Sequence, residues 1–345
     1  MSEKNLTDTP IHAGIVGCGG IAQVCHLPVL KKHPQVEIQA ICDLDTSKAA
    51  VLADKFDVKG VYEDIEEMLQ NEKIDVVFIM TPNNLHLPMS LISLEHGVHV
   101  FLEKPAGRDA SEAERIHQKA QAVGKKVMVG MQNRFRQDVL TMKQFLDDQE
   151  LGKLFYLKVG WLQAFHRSFK PDWVFQKNVS GGGVVLDLGI QVLDLAWFLL
   201  RKPQIKTIKA TAFNPRGNIQ VEYSCFAHLS FQEGVFINFE VSWDYPIAQD
   251  HFYLEAIGSK GIATLNPLKL QKLWHGQVVN ISPEMKESKI SYYKKGYENE
   301  VYHFINHIMG KTPSLGSSIE DAVSVQKMID GIYTSLETGK EVTLS

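Results

Sequence analysis

Gly14-Ile15-Val16-Gly17-Cys18-Gly19-Gly20-Ile21-Ala22 is the stretch that decides the fold. A short apolar strand from His12 to Gly17 runs into glycines, and a helical pattern over 20–32 follows at once. Each small residue in Gly17-x-Gly19-x-x-Ala22 has a task. Gly17 permits a tight turn, Gly19 lets backbone come against a pyrophosphate, and Ala22 allows close packing of helix on strand. A helix opening there offers free N–H groups and partial positive charge to phosphates. Gly20 and Ile21 complete the turn. A second strand over 37–43 ends at Asp43, 21 residues beyond Ala22. A carboxylate at that place accepts hydrogen bonds from ribose hydroxyls and repels a 2′-phosphate, which favours NAD over NADP. Lys48 nearby leaves room for the phosphorylated form.

Outward from this turn the chain alternates strand and helix. Apolar strands are expected at 73–80, 98–102 and 126–131, and helices at 47–56, 85–96 and 109–124. Near-continuous apolar strands separated by helices imply a parallel sheet covered on both faces. Asp109 with Glu112 makes a capping box, and Gly124 ends that helix. After residue 150 the grammar changes. Strand-length segments are expected at 155–163, 205–213, 223–231, 235–243 and 251–257, with a tight connection at Phe231-Gln232-Glu233-Gly234. Val235, Ile237, Phe239, Val241 and Trp243 share one face, while Phe236, Asn238, Glu240 and Ser242 share a wetter one. Two helices, about 297–309 and 319–337, close the chain. The expected fold is α/β: a doubly wound Rossmann domain over 10–132, then an α+β domain over 133–345 with an open, largely antiparallel sheet. The C-terminal helix is free to pack back on the first domain.

Composition narrows the function. A chain of 345 residues predicts about two domains. Its 36 Lys+Arg against 40 Asp+Glu, a net of −4, argue against a nucleic-acid binder. No apolar run reads as the roughly 18 residues of a membrane span. The polar segment Met1 to Pro10 lacks a secretory core, so a cytoplasmic home is expected. Cys18, Cys25, Cys42 and Cys225 have neither CxxC pairing nor zinc spacing, so they read as reduced thiols and no metal is expected.

Candidate chemistry gathers at strand ends. Glu103-Lys104-Pro105 follows the strand 98–102, and Thr81-Pro82-Asn83 with His86 follows 73–80. Both lie at the carboxyl edge of a parallel sheet, where such folds bind ligands. Further on, Gly181-Gly182-Gly183 leads to Asp187, Gln191 and Asp194, three residues on one helical face beside an apolar stripe. The triple glycine reads as backbone access for a ligand. Arg134, His166, Arg167, Lys170 and Trp173 are further substrate-side candidates. Tyr297 and Glu300 read as capping and packing at the start of a helix. Phe226 and Phe236, on the wetter sheet face, read as a partner surface.

Together these residues resemble the glucose-fructose oxidoreductase / inositol dehydrogenase / MocA (Gfo/Idh/MocA) family. The resemblance runs through GIVGCGGIA at 14–22, TPNNLH at 81–86, EKP at 103–105, NRF at 133–135, GGGVVLDLG at 181–189 and the closing 310–335. It implies hydride transfer on sugars, cyclitols or their derivatives, and homo-oligomerisation, as a dimer or tetramer, through the second-domain sheet. It implies that Lys104 stands where cofactor and substrate meet, that Asp187 orients the substrate, and that the peptide before Pro105 is cis. One departure matters. The family pattern DxGxHxxD supplies a histidine as proton acceptor, whereas this chain has Gln191 there. An amide cannot take up a proton near neutral pH. Free lysine titrates near 10.4, so Lys104 as a base requires burial or nearby positive charge. The expected roles are Lys104 taking or relaying the hydroxyl proton, Asp187 holding the substrate and Gln191 fixing a hydroxyl. The expected cofactor contacts are Gly17, Gly19, Gly20, Ile21, Asp43, Thr81, Pro82, Asn83, His86, Glu103 and Lys104. Lys104, Arg134, His166, Trp173, Asp187 and Gln191 are the expected substrate contacts. Two other readings stay open: an enzyme that retains and recycles NAD through a keto sugar, for elimination or epimerisation, and a non-catalytic NAD- and sugar-binding sensor.

Overall fold

A six-stranded parallel sheet and a nine-stranded mixed sheet organise the chain in a computed structural model. Residues 10–164, 170–214, 220–285 and 289–344 are described. Residue contacts divide the molecule into two units, 1–132 with 294–323 and 133–293 with 324–345.

In the first unit β1 (Ile11–Val16), β2 (Val36–Cys42), β3 (Gly60–Tyr62), β4 (Val76–Ile79), β5 (His99–Glu103) and β6 (Val127–Gly130) pair in the order β3-β2-β1-β4-β5-β6. Every pairing is parallel. The order reverses between β1 and β4, and open sheets of this kind bind ligands at such a point, beyond the carboxyl ends of the strands. The helices are α1 (Leu27–Lys32), α2 (Thr46–Phe56), α3 (Ile65–Asn71), α4 (His86–Glu95) and α5 (Ala110–Val123). The expected helix over 20–32 is continuous but widens into one π turn at Ala22–His26. Aspartates start three of the helices. Asp45, Asp64 and Asp109 each accept from first-turn N–H groups, satisfying donors that otherwise lack partners. The Glu112 carboxylate of the expected capping box reaches back to the Arg108 N–H at 2.8 Å. β3 and α3 went unread because three and seven residues carry too little periodicity to stand out.

The second unit holds the helices α6 (Gln137–Asp147), α7 (Lys177–Ser180) and α8 (Ile190–Leu199). Its sheet comprises β7 (Leu154–Ala164), β8 (Ile205–Phe213), β9 (Ser224–Phe231), β10 (Phe236–Tyr245), β11 (His251–Gly258), β12 (Gly261–Leu265), β13 (Lys269–Trp274), β14 (Gln277–Asn280) and β15 (Val342–Thr343). The order is β14-β13-β12-β11-β7-β10-β9-β8-β15, antiparallel except for the β7–β10 pair. The turn between β9 and β10 puts Glu233 and Gly234 in the left-handed region, at φ 62° and 78°, as a tight hairpin requires. The alternation along β10 holds: Ile237, Phe239, Val241 and Trp243 are buried, and Asn238 is exposed. Ser242 departs from it, being buried and bonded to Ser224 Oγ at 2.8 Å. On the wetter face Phe236 stacks on Tyr156 at 4.8 Å, and Phe226 is 39% exposed. The strands β12 to β15, absent from the expected pattern, lie toward the sheet's edges, where polar residues blur the alternation.

The helices α9 (Lys289–Ile308) and α10 (Ile319–Thr338) follow. Because α9 opens at least two turns before 297, Tyr297 and Glu300 lie within a helix and are buried, which replaces the expected capping role. The helical run 177–199 has the length and mean hydropathy of a membrane span, contrary to the sequence reading, but 89% of its apolar window is buried inside the molecule. It is a core helix.

Candidate active site

The nucleotide side is built where β1 meets the loop after β4. Gly17 adopts φ +95°, and a Cβ there would lie 2.7 Å from the Met80 carbonyl carbon and oxygen, so the turn admits only glycine. Gly19 has no neighbour to a Cβ nearer than 3.9 Å and Gly20 none within 4 Å, which leaves their backbone bare. Ala22 is fully buried. Asp43, just past β2, receives the Cys18 N–H on Oδ2 at 2.6 Å and the Asp45 N–H on Oδ1 at 2.9 Å. Each oxygen keeps a second lone pair, enough for two ribose hydroxyls. Lys48 Nζ stands 3.8 Å from the same Oδ2. Burial, then the Asp43 charge, pushes the Cys18 thiol up to about 12, so it is an inert neighbour. Thr81 follows β4, and its buried hydroxyl has no hydrogen-bond partner among the described residues. A bare glycine turn, a carboxylate with spare acceptor capacity and an orphaned hydroxyl on one sheet edge suit a dinucleotide.

The EKP segment sits on the same edge, and the Lys104–Pro105 peptide is cis. Lys104 is half-buried. The side chain of Glu103 turns inward, its Oε1 2.6 Å from His26 Nε2 and its Oε2 accepting the Lys104 N–H at 3.2 Å. His86 is buried, with Nδ1 2.6 Å from the Pro105 carbonyl and Nε2 2.9 Å from the Thr81 carbonyl. Burial holds its pKa below the ordinary histidine value. His86 thus ties the two exit loops together, and Glu103 anchors Lys104. Both were expected to line the cofactor, and their side chains are instead spent within the protein.

In the second unit Asp187 lies in a π turn, Val185–Gly189, that leads into α8. Its Oδ2 accepts from Lys170 Nζ at 2.7 Å and from Trp243 Nε1 at 2.9 Å. Lys170 Nζ also lies 4.9 Å from the Trp243 ring centroid. Gln191 donates through Nε2 to the Asp187 carbonyl at 3.1 Å. Trp243 packs edge-on against Phe175 and Tyr223, and Trp173 is half-buried in the neighbouring turn. His166 and Arg167 lie outside the described residues.

Two sequence readings are corrected here. Arg134, expected on the substrate, is 2% exposed and forks onto Asp194, Nε to Oδ2 at 2.8 Å and Nη2 to Oδ1 at 2.6 Å. On the face shared by 187, 191 and 194, Gln191 and Asp194 are buried and Asp187 is half-buried. The triple glycine serves packing. A Cβ on Gly182 would lie 1.9 Å from the Tyr333 hydroxyl, and one on Gly183 would lie 2.2 Å from the Glu222 carbonyl oxygen. The Glu222 side chain accepts the Gly183 and Val185 N–H groups at 3.1 and 3.0 Å and the Tyr333 hydroxyl at 3.0 Å. Burial raises its pKa despite these donors. Glu222 and Trp243 carried no motif in the sequence, although the β10 alternation put Trp243 on the inner face.

The comparisons with known proteins bear on this architecture. Residues 11–131 match the model of the oxidoreductase family with an NAD-binding Rossmann fold, and residues 139–264 match the GFO/IDH/MocA C-terminal domain. The chain belongs to the Gfo/Idh/MocA oxidoreductase family. Its NAD-binding Rossmann domain is the first unit's parallel sheet with its helices. Among the family's curated members it is 28% identical to D-glucoside 3-dehydrogenase of Escherichia coli (strain K12), over 98% of this chain and 99% of that one. It is 27% identical to D-xylose 1-dehydrogenase (NADP(+)) 2 of Haloferax volcanii, over 96% and 99%. Its fold matches levoglucosan dehydrogenase in complex with NADH and levoglucosan, at TM-score 0.86 and 20% identity, covering 97% of this chain and 99% of that one.

Proposed function

We propose that this family member is an NAD(H)-dependent oxidoreductase acting on a ring secondary alcohol of a sugar, cyclitol or sugar derivative. The observation that carries the reading is the half-buried Lys104 on the carboxyl edge of an NAD-binding sheet, its peptide fixed by Glu103 on one side and by His86 on the other. Asp43 accepts the ribose hydroxyls, which favours NAD over NADP. When bound, the coenzyme supplies the hydride acceptor. The hydroxyl proton passes to Lys104 Nζ, because Gln191 has no basic atom. Asp187, with Lys170 and Trp243 donating to its Oδ2, holds a substrate hydroxyl through its carboxylate. Relatives named for D-glucosides and D-xylose, and a neighbour holding levoglucosan, support a sugar ring as substrate. The reading includes a cytoplasmic protein that self-associates through the second-unit sheet face carrying Phe226 and Phe236.

The experiment is a panel of glycosides, aldoses and cyclitols incubated with NAD, followed by NADH absorbance and product analysis. One sugar is expected to yield a ketone with stoichiometric NADH, and Lys104→Met is expected to lower kcat by about 100-fold or more, the scale of a general base. Intact turnover in that variant at saturating substrate removes Lys104 from the chemistry. Gln191 is the feature that keeps two other readings in view. Product without net NADH identifies a recycling enzyme, and firm NAD binding without turnover of any sugar identifies a sensor.

A further inference from the structure

Glu300, on α9 in the first unit, is wholly buried. Among the described residues neither of its carboxyl oxygens has a hydrogen-bond partner, and Nδ1 of the equally buried His26 has none. One carboxyl oxygen of Glu300, one of Glu103 and a ring nitrogen of His26 lie within 4.8 Å of one another. Aromatic rings surround them. The His26 ring meets Phe101 at 5.2 Å and Tyr297 at 5.7 Å, both edge-on. Cys25 flanks the cluster, its thiol pushed up to about 11 by burial and then by Glu103 and Glu300, with Lys294 opposing.

Polar groups sealed in a core without partners are rare and call for an explanation. Packing alone does not supply one, since an apolar side chain of this size would fill the same aromatic space without burying two oxygens. Burial, reinforced by Glu103, holds the Glu300 carboxyl well above the usual range, which favours its protonated form. A protonated acid beside Glu103 brings a proton able to turn toward that carboxyl in place of a second negative charge. Glu103 in turn is the link outward: Oε1 faces His26 Nε2 at 2.6 Å, and Oε2 accepts the Lys104 N–H at 3.2 Å.

We propose that Glu300 and His26 are positioning residues that fix Lys104 through the Glu103 carboxyl. The inference rests on the reading of Lys104 as the group that receives the hydroxyl proton. Its test compares Glu300→Gln with Glu300→Leu in the full chain with NAD present. Two readouts are taken: steady-state kinetics, and the pH dependence of Lys104 acylation by competitive labelling and mass spectrometry, which needs no turnover. Glu300→Leu is expected to lower kcat about tenfold with KM within about threefold, the signature of lost transition-state alignment. It is also expected to shift the pH midpoint of Lys104 acylation. Glu300→Gln, which keeps a donor, is expected to restore both toward the parent. Equal kcat and equal Lys104 labelling in the two variants overturn the proposal. Should Glu300→Leu fail to fold, His26→Gln is read the same way, and unchanged labelling there also overturns it. A labelling shift in a protein that oxidises no sugar keeps the positioning role and rejects the catalytic reading of Lys104.

Discussion

Replacing Arg134 by methionine separates a structural arginine from a substrate-binding one. Arg134 and Asp194 have side chains 1% and 2% exposed, joined by two parallel hydrogen bonds, with the guanidinium carbon 5.0 Å from the Phe198 ring centroid. Methionine matches the arginine stem in shape and removes all five donors, so Asp194 stays buried with its principal partner gone. Breaking one side of a buried pair typically destabilises by about 3–5 kcal/mol. At a urea dependence of about 2 kcal/mol per molar, a loss of that size moves the unfolding midpoint down by roughly 1.5–2.5 M. The assay is urea unfolding followed by tryptophan fluorescence, run beside KM for the sugar that is turned over. Lysine at 134 is expected to rescue little, since a single ammonium cannot reproduce the fork. The double variant Arg134→Met/Asp194→Leu is expected to recover most of the loss, because no charge is then left stranded. A KM raised tenfold or more with an unmoved midpoint would refute the assignment and return Arg134 to the substrate.

Two further outcomes follow from the first unit. Asp43→Asn removes the negative charge proposed to face the ribose while keeping an acceptor, so NAD affinity is expected to fall by about tenfold, the scale of a lost charge-assisted hydrogen bond, and NADP affinity to rise; titrations of both coenzymes check it, and an unchanged ratio contradicts the role given to the carboxylate. His99 accepts the Lys126 N–H at Nδ1, and burial, with Lys125 and Lys126 beside it, lowers its pKa to about 4. Its folded value lies below its unfolded value, so the stability it contributes is complete above about pH 6.5 and drains away as the pH falls toward 4. With its partial exposure discounted, the loss is about 1–2 kcal/mol. Urea midpoints measured between pH 7 and pH 4 are expected to fall less steeply in His99→Gln than in the parent.

What the sequence made legible was whatever repeats locally or is chemically scarce. The glycine turn at 17–22, the strand ends at Asp43 and Lys104, and the alternation along 235–243 each declare themselves within ten residues. The parallel sheet and the largely antiparallel one follow from those patterns. The site's supports were not legible, because they depend on residues far apart in the chain. Glu103 and Glu300 are 197 positions apart in the sequence, and nothing in either neighbourhood announces that they share a pocket. Arg134 reads as a substrate-side residue because it stands near loops able to approach the crevice. Asp194, 60 residues on, is what turned it inward. The triple glycine looked like room for a ligand. Tyr333 and Glu222, the groups that fill the room, come from segments distant in the chain.

Several buried acids of this protein lie close to Lys104 or Asp187 along the chain, although others, such as Asp138 in its buried pair with Arg136, do not. Glu103 meets His26 and Glu300 in the layer beneath the Lys104 peptide. Glu222 holds the N–H groups of Gly183 and Val185, two to four residues before Asp187. Asp194, locked to Arg134, lies two turns beyond Asp187 along the same helical run. A buried ion pair or acid adds little to stability that a well-packed apolar side chain would not supply better. What it does supply is direction, because a hydrogen bond to a main-chain N–H is satisfied in one geometry and a hydrophobic contact in many. Groups that tolerate little error are therefore where such bonds are worth their desolvation, since a displacement of about 1 Å at a reacting centre can lower a rate 100-fold. Lys104 has such support at its own N–H, and Asp187 has it a few residues earlier in its turn, at Gly183 and Val185. That placement is a second ground for the roles proposed for them, independent of the sequence motifs.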